Sequence, residues 1–143
     1  MIARGGIIGL AGGIILGIFL KGIQALTGLK VYTLLLNVDF IYSKPLPEWV
    51  EFGIHLAVAV PIGIGFILIR DWLKFITLLK QSALALLITI PAGFLYFPLS
   101  ILANKNVPSV YDIRAFGWWA AAHLVFAGVL VWGGWIVRRS ASN

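Results

Sequence analysis

The sequence predicts an all-α integral membrane protein, a single domain over residues 1–143 with a bundle of four transmembrane helices. Of its 143 residues 61% are hydrophobic and only 11% are charged, whereas a soluble domain carries about 25% charged residues. The mean hydropathy is +1.01. The apolar residues gather in four stretches, each close to the roughly 20 residues that a helix needs to cross a bilayer. These stretches use nearly the whole chain and leave no room for a second domain.

The first crossing is predicted from Gly5 to about Leu26. The next apolar stretch, residues 31–42, is too short to cross a bilayer and contains Asn37 and Asp39. A stretch of that length is typical of an interfacial or re-entrant segment. We therefore predict a short segment of this kind between the first and second crossings.

The other three crossings follow in order, at about residues 49–69, 82–103 and 115–137. Residues 70–81 are predicted to form a short amphipathic connection between the second and third. The third crossing contains Pro91 and Pro98. Proline lacks the N–H that an interior helical position needs, so we expect each proline to kink the helix or free a carbonyl.

Lysine and arginine beside the span ends predict the orientation. On the side of the N-terminus lie Arg4, Arg70, Lys74, Lys80, Arg138 and Arg139; on the other side lie Lys21, Lys30, Lys44, Lys105 and Arg114. The small excess on the first side favours both termini in the cytoplasm. The basic residues are not interleaved with stacking aromatics, so the net charge of +6 predicts contact with membrane lipid and not with nucleic acid.

Glycine recurs every four residues along the first crossing, at Gly5, Gly9, Gly13 and Gly17. We call this set the glycine row. Between helices in lipid, attraction comes largely from close backbone packing, which small residues permit. The row therefore predicts a tight helix–helix contact, and the same face carries Lys21 towards the bundle.

Four polar side chains lie 15 or 16 residues from the cytoplasmic ends of their crossings, counted from Gly5, Arg70, Lys80 and Arg138: Lys21, His55, Tyr96 and His123. At about 1.5 Å of rise per residue, all four are near one depth, in the outer half of a core about 30 Å thick. Glu51 lies one turn from His55. We predict a buried polar layer of these five residues. Lys21 either enters the interior or extends back to the headgroups, and both alternatives stay open.

Ionisable residues inside membrane spans usually mark a function, and histidine titrates near neutral pH. The leading hypothesis is a layer that binds or conducts a small ion, with protons favoured. The alternative is a non-catalytic accessory or structural subunit, acting through contacts with its own copies or with a partner subunit. A third is an electron carrier with haem held by two histidines. The structural reading is a satisfied network in which Glu51 pairs with Lys21 and each histidine donates a hydrogen bond to a backbone carbonyl.

No catalytic residue is predicted, because phosphate loops, serine–base pairs and paired carboxylates are all missing from the sequence. The chain has no cysteine, which excludes disulfides and thiolate metal sites. We predict no metal site, since the only ligand pattern is Glu51 with His55 and one distant histidine. The sequence identifies no cofactor.

Several short motifs resemble small bacterial inner-membrane proteins of the YagU and YqhR type. They are Lys21-Gly22 after the glycine row, Gly53-Ile54-His55, Phe97-Pro98-Leu99, and Phe116-Gly117 through His123 to Arg138-Arg139. The resemblance implies a four-helix protein of the bacterial cytoplasmic membrane, linked to acid tolerance and without an established reaction.

Overall fold

The structure, a computed structural model, describes the backbone of residues 1–139 and the side chains of residues 1–137. Every regular element in that part of the chain is a helix: α1 (Ile2–Thr27), α2 (Val31–Leu35), α3 (Glu48–Trp72), α4 (Leu78–Phe94), α5 (Tyr96–Ile101) and α6 (Ile113–Arg139). Four stretches are long and apolar enough to cross a membrane: α1, α3, α4 together with α5, and α6. The predicted four-helix fold is confirmed, and it indicates a multi-pass membrane protein.

The glycine row of α1 faces α3, and the two helices run antiparallel. A Cβ atom added at Gly5 would lie 2.7 Å from the Cα of Ile64, and one at Gly17 would overlap the ring of Phe52. Between these ends Gly9 lies against the backbone of Ala59 and Gly63. The glycines of the row leave no side chain on α1 to hold the two helices apart, so the spacing of the row determines how α1 and α3 pack.

The neighbouring face of α1 packs against α6, which also runs antiparallel to α1. A Cβ atom at Gly12 would lie 2.9 Å from the ring of Phe126, and one at Gly133 would lie 2.7 Å from Ile8. Since α3 and α6 both run opposite to α1, they run parallel to each other. His55 and His123 therefore lie at one level of the bundle.

The third crossing is interrupted at Leu95, between the two prolines that predicted a kink. Pro98 has no N–H to donate to the carbonyl four residues before it, which belongs to Phe94. The carbonyl of Gly93, one residue earlier, accepts a hydrogen bond from Nε1 of Trp119 at 2.9 Å. A side chain of α6 thus hydrogen-bonds the backbone beside the interruption.

The short segment between α1 and α3 covers one end of the bundle, which we call the Lys105 end. Val31 and Leu34 of α2 are fully buried there. Asn37, just beyond α2, is buried too, and its Nδ2 donates to the Leu99 carbonyl at 2.7 Å. The predicted segment is thus a five-residue helix and a turn that close the bundle without crossing it.

Arg70 lies at the opposite end, which we call the Arg70 end, and it is buried. Its Nη1 donates to the Gly134 carbonyl at 2.6 Å, and its Nε donates to Oδ1 of Asp71 at 2.7 Å. The sequence analysis placed Arg70 in a connection that reaches to Gln81. That boundary was wrong: α3 continues to Trp72, and only residues 73–77 connect it to α4.

Replacing Gly9 by leucine should lower the thermal stability of the protein in detergent. The side chain would meet the Ala59 carbonyl, and overpacking of this kind costs about 1–3 kcal/mol or more. Gly22 is the matched control, because it lies on the same helix with no atom near its missing Cβ. Equal melting temperatures for Gly9→Leu and Gly22→Leu would contradict a packing role for the row.

Candidate functional site

His55 of α3 and His123 of α6 line one cavity of about 160 Å³. Asn37, which follows α2 in the chain, also lines this cavity. Most of the remaining lining is apolar and comes from every crossing, including Leu16, Ala59, Ile62, Leu95 and Phe126. Two ionisable rings therefore share a small space that hydrocarbon otherwise surrounds.

The ring of His55 is held by the backbone of α1. Its Nε2 lies 3.1 Å from the Gly13 carbonyl oxygen. A carbonyl can only accept, so Nε2 carries the proton of the neutral ring and Nδ1 keeps its lone pair. Gly13 belongs to the glycine row, and a Cβ there would lie 2.7 Å from Ala59 and 3.6 Å from this same Nε2. The close packing of α1 on α3 therefore brings an acceptor within reach of His55.

The ring of His123 is held within its own helix. Its Nδ1 lies 2.8 Å from the carbonyl oxygen of Trp119, one turn earlier in α6. By the same reasoning Nδ1 carries the proton and Nε2 is free to accept. The Trp119 ring lies against the imidazole, with centroids 4.8 Å apart. Each histidine thus keeps one nitrogen that can take up a proton.

A cluster of charged side chains lies at the Lys105 end of the bundle, beyond the lining of the cavity. Nζ of Lys105 forms an ion pair with Glu51 and lies 3.9 Å from Oδ1 of Asp39. Asp39 also accepts a hydrogen bond from the backbone N–H of Asn104 at 2.7 Å. The side-chain Oδ1 of Asn37 accepts from the backbone N–H of Asp39 at 3.0 Å. Asn37 therefore joins the charged cluster to the cavity.

Lys21 does not join the predicted layer. Its Nζ lies 2.6 Å from Oε1 of Glu48, and both side chains are more than half exposed. Glu51, the partner expected in the structural reading, binds Lys105. Tyr32 donates to the same Glu48 oxygen at 2.9 Å. Burial first, and then this hydrogen bond, raise the pKa of Tyr32 to about 12, so the phenol remains a donor at neutral pH.

Tyr96 is fully buried but lies outside the histidine cavity. Its hydroxyl donates to the carbonyls of Ser109 and Asp112, at 2.9 and 3.2 Å. Its ring packs edge-on against Phe116. The residue thus fastens α5 to the loop before α6, which is a structural task, and the predicted layer separates into several groups.

Three residues of the site were missed by the sequence analysis: Asn37, Asp39 and Lys105. The first two were noted only as reasons against a fifth crossing, and Lys105 only as a charge that sets orientation. The signal available was that Asn37 and Asp39 are polar residues within an otherwise apolar stretch. Nothing in the sequence indicated that the loop after α5 returns Lys105 to them.

The arrangement does not fit a haem or a metal ion. Sites for drug-sized ligands measure about 300–1,000 Å³, so the histidine cavity is too small for a porphyrin ring. Among the residues that the structure describes, no group of three or more His, Cys, Asp or Glu could hold a metal ion. What the two rings can do chemically is accept and release protons or hydrogen-bond a small molecule.

Replacing Glu51 by glutamine should lower stability more than the same change at Glu48. Glu51 is buried and paired with Lys105, and removing one partner of a buried ion pair costs about 3 kcal/mol or more. Glu48 makes the same kind of pair in an exposed position, where solvent screens the interaction. Thermal melting of both variants in one detergent measures the difference, and a larger loss at Glu48 would contradict the buried cluster.

Comparison with known proteins returns no match to a family model, to a curated protein or to a solved structure. The resemblance to the YagU and YqhR type therefore stays a prediction, as does the accessory-subunit alternative. The function has to be argued from the geometry of the cavity and its surroundings.

Proposed function

We propose that this membrane protein binds protons at His55 and His123, and that the protons enter from the Lys105 end. The observation that carries the proposal is that both rings line one small cavity. Each ring donates one N–H to a helix carbonyl and keeps one basic nitrogen. Uptake of a proton by either ring places a charge beside the other, so the pair responds to pH as one unit.

The charged cluster supports entry from this end. Asp39 and Glu51 bring two carboxylates against the single ammonium of Lys105, which leaves one negative charge. Glu51 lies four residues from His55 in α3, about 6 Å along the axis. A net negative charge at this end of the bundle raises the local concentration of protons beside the cavity. Asn37 bridges the cluster and the cavity by its hydrogen bonds.

The interior between the cavity and the Arg70 end supports binding of protons at the histidines and not conduction of protons through the membrane. Phe66 and Ile67 of α3 and Leu130 of α6 are fully buried between the histidines and Arg70. These side chains offer no hydrogen-bonding group to carry a proton onward. We therefore infer a proton-sensing or proton-storing site that exchanges with one side of the membrane.

We further propose that the Lys105 end faces outward from a bacterial cytoplasmic membrane, with both termini in the cytoplasm and the helices in contact with lipid. The excess of basic residues near the Arg70 end supports this orientation. The histidines then respond to the pH outside the cell. Such a site agrees with the acid-tolerance role that the sequence resemblance implies.

Solution NMR of protein labelled with ¹⁵N-histidine tests the site directly, because the chain has only two histidines. At high pH we expect the Nε2–H tautomer for His55 and the Nδ1–H tautomer for His123. The nitrogen resonances of both rings should shift as the pH is changed. Replacing His55 by glutamine should change the titration of His123, since the two rings share one cavity.

Lys21→Gln is the matched control for this titration. Lys21 has the depth predicted for the histidines but pairs with Glu48 in an exposed position, so its loss should leave both curves unchanged. The proposal fails if neither ring titrates while the protein remains folded. It also fails if the His123 curve is the same with and without His55.

Single cysteines test the orientation, because the chain has none of its own. A membrane-impermeant thiol reagent added to intact cells should label Asn104→Cys in the loop after α5. It should not label Lys74→Cys in the connection between α3 and α4 until the membrane is opened. Both side chains are exposed, so a reversed labelling pattern would show the opposite orientation.

A further inference from the structure

A second cavity lies on the other side of His123, between α4 and α6. Its volume is about 200 Å³, and His123 and Thr89 are the only polar residues of the lining. Thr89 is 4% exposed. Among the described residues its hydroxyl has no hydrogen-bond partner. A buried hydroxyl without a partner in an apolar site is costly, and Thr89 is one of the residues that line this space.

The cavity faces the lipid side of the bundle. Its rim is formed by side chains that are at least half exposed, namely Ile90, Phe94 and Leu124. Through Leu86 and Leu124 it adjoins a groove of about 660 Å³ that continues along α4 and α6 towards the Arg70 end. A molecule in the membrane therefore has a lateral entrance and apolar space for the rest of its length.

The two polar groups determine which molecule fits. His123 uses Nδ1 on the Trp119 carbonyl, so its Nε2 needs a donor from the ligand. The hydroxyl of Thr89 can supply a hydrogen bond to an oxygen of the ligand. A hydroxyl group or a protonated carboxyl group answers both needs, since each can donate and accept at the same time.

We propose that this cavity binds a membrane-soluble alcohol or protonated fatty acid, with its polar end between Thr89 and His123 and its chain in the adjoining groove. The observation that carries the inference is the unpartnered hydroxyl of Thr89, which the proton site does not use. The two sites share His123 but differ in their other residues, so each can be tested separately.

Photo-crosslinking in lipid nanodiscs tests the proposal, with a tetradecanol probe that carries a diazirine near its hydroxyl. We expect crosslinked peptides from the segments of α4 and α6 that hold Thr89 and His123. Excess tetradecanol or myristic acid should compete with the probe, and methyl myristate and tetradecane should compete poorly because neither can donate a hydrogen bond. Comparing the alcohol with the acid identifies which of the two the site prefers.

Thr89→Val should reduce crosslinking about threefold to tenfold, the effect of losing one hydrogen bond, and Thr89→Ser should restore it. Ser100→Ala is the matched control, because that hydroxyl also lacks a partner in the described part of the chain but does not line the cavity. Equal crosslinking of Thr89→Val and wild type, or equal competition by tetradecane, would overturn the proposal. At a pH high enough to keep His123 neutral, His55→Gln removes the proton pair and should leave crosslinking intact, which separates failure of this inference from failure of the proton site.

Discussion

The close contact between α1 and α3 is the interaction on which the rest of the structure depends. Glycine in both helices, Gly9 and Gly63, lets the two backbones touch. In lipid such contact supplies much of the attraction between helices. It also brings the Gly13 carbonyl to His55. Because α1 contacts α6 as well, it occupies the centre, and α3 is left with only limited contact to α4. The histidine cavity lies in the space that this arrangement leaves.

Irregular backbone at membrane depth is tolerated only where other groups satisfy it, and this requirement explains several side chains that are not ligands. Trp119 donates to the carbonyl of Gly93 beside the interrupted crossing. Asn37 donates to the Leu99 carbonyl near the end of α5. Both residues also line the histidine cavity. The side chains that hydrogen-bond the irregular backbone are thus also side chains that line the cavity. The cavity and the interruption in the third crossing are therefore parts of one feature.

The sequence was sufficient for the fold, because length and hydropathy determine which stretches can cross a bilayer. It was sufficient for the shared level of the two histidines, which follows from counting residues along parallel helices. The sequence could not show which basic residue pairs with which glutamate. Glu48 and Glu51 differ by less than one turn, yet one binds Lys21 in the open and the other binds Lys105 in the interior. That choice depends on the path of the loop after α5, and no periodicity encodes it. Asn37 was missed for the same reason.

The buried guanidinium of Arg70 has a consequence for the order of assembly. Its carbonyl acceptor belongs to Gly134, 64 residues later in the chain, so this hydrogen bond can form only after α6 has been made. Until α6 arrives, a long cationic side chain at a helix end stays at the headgroups, in contact with water. The hydrogen bond of Arg70 therefore ties α3 to a helix that is made much later, and this contact at the Arg70 end forms after the contact of α1 with α3 is already possible.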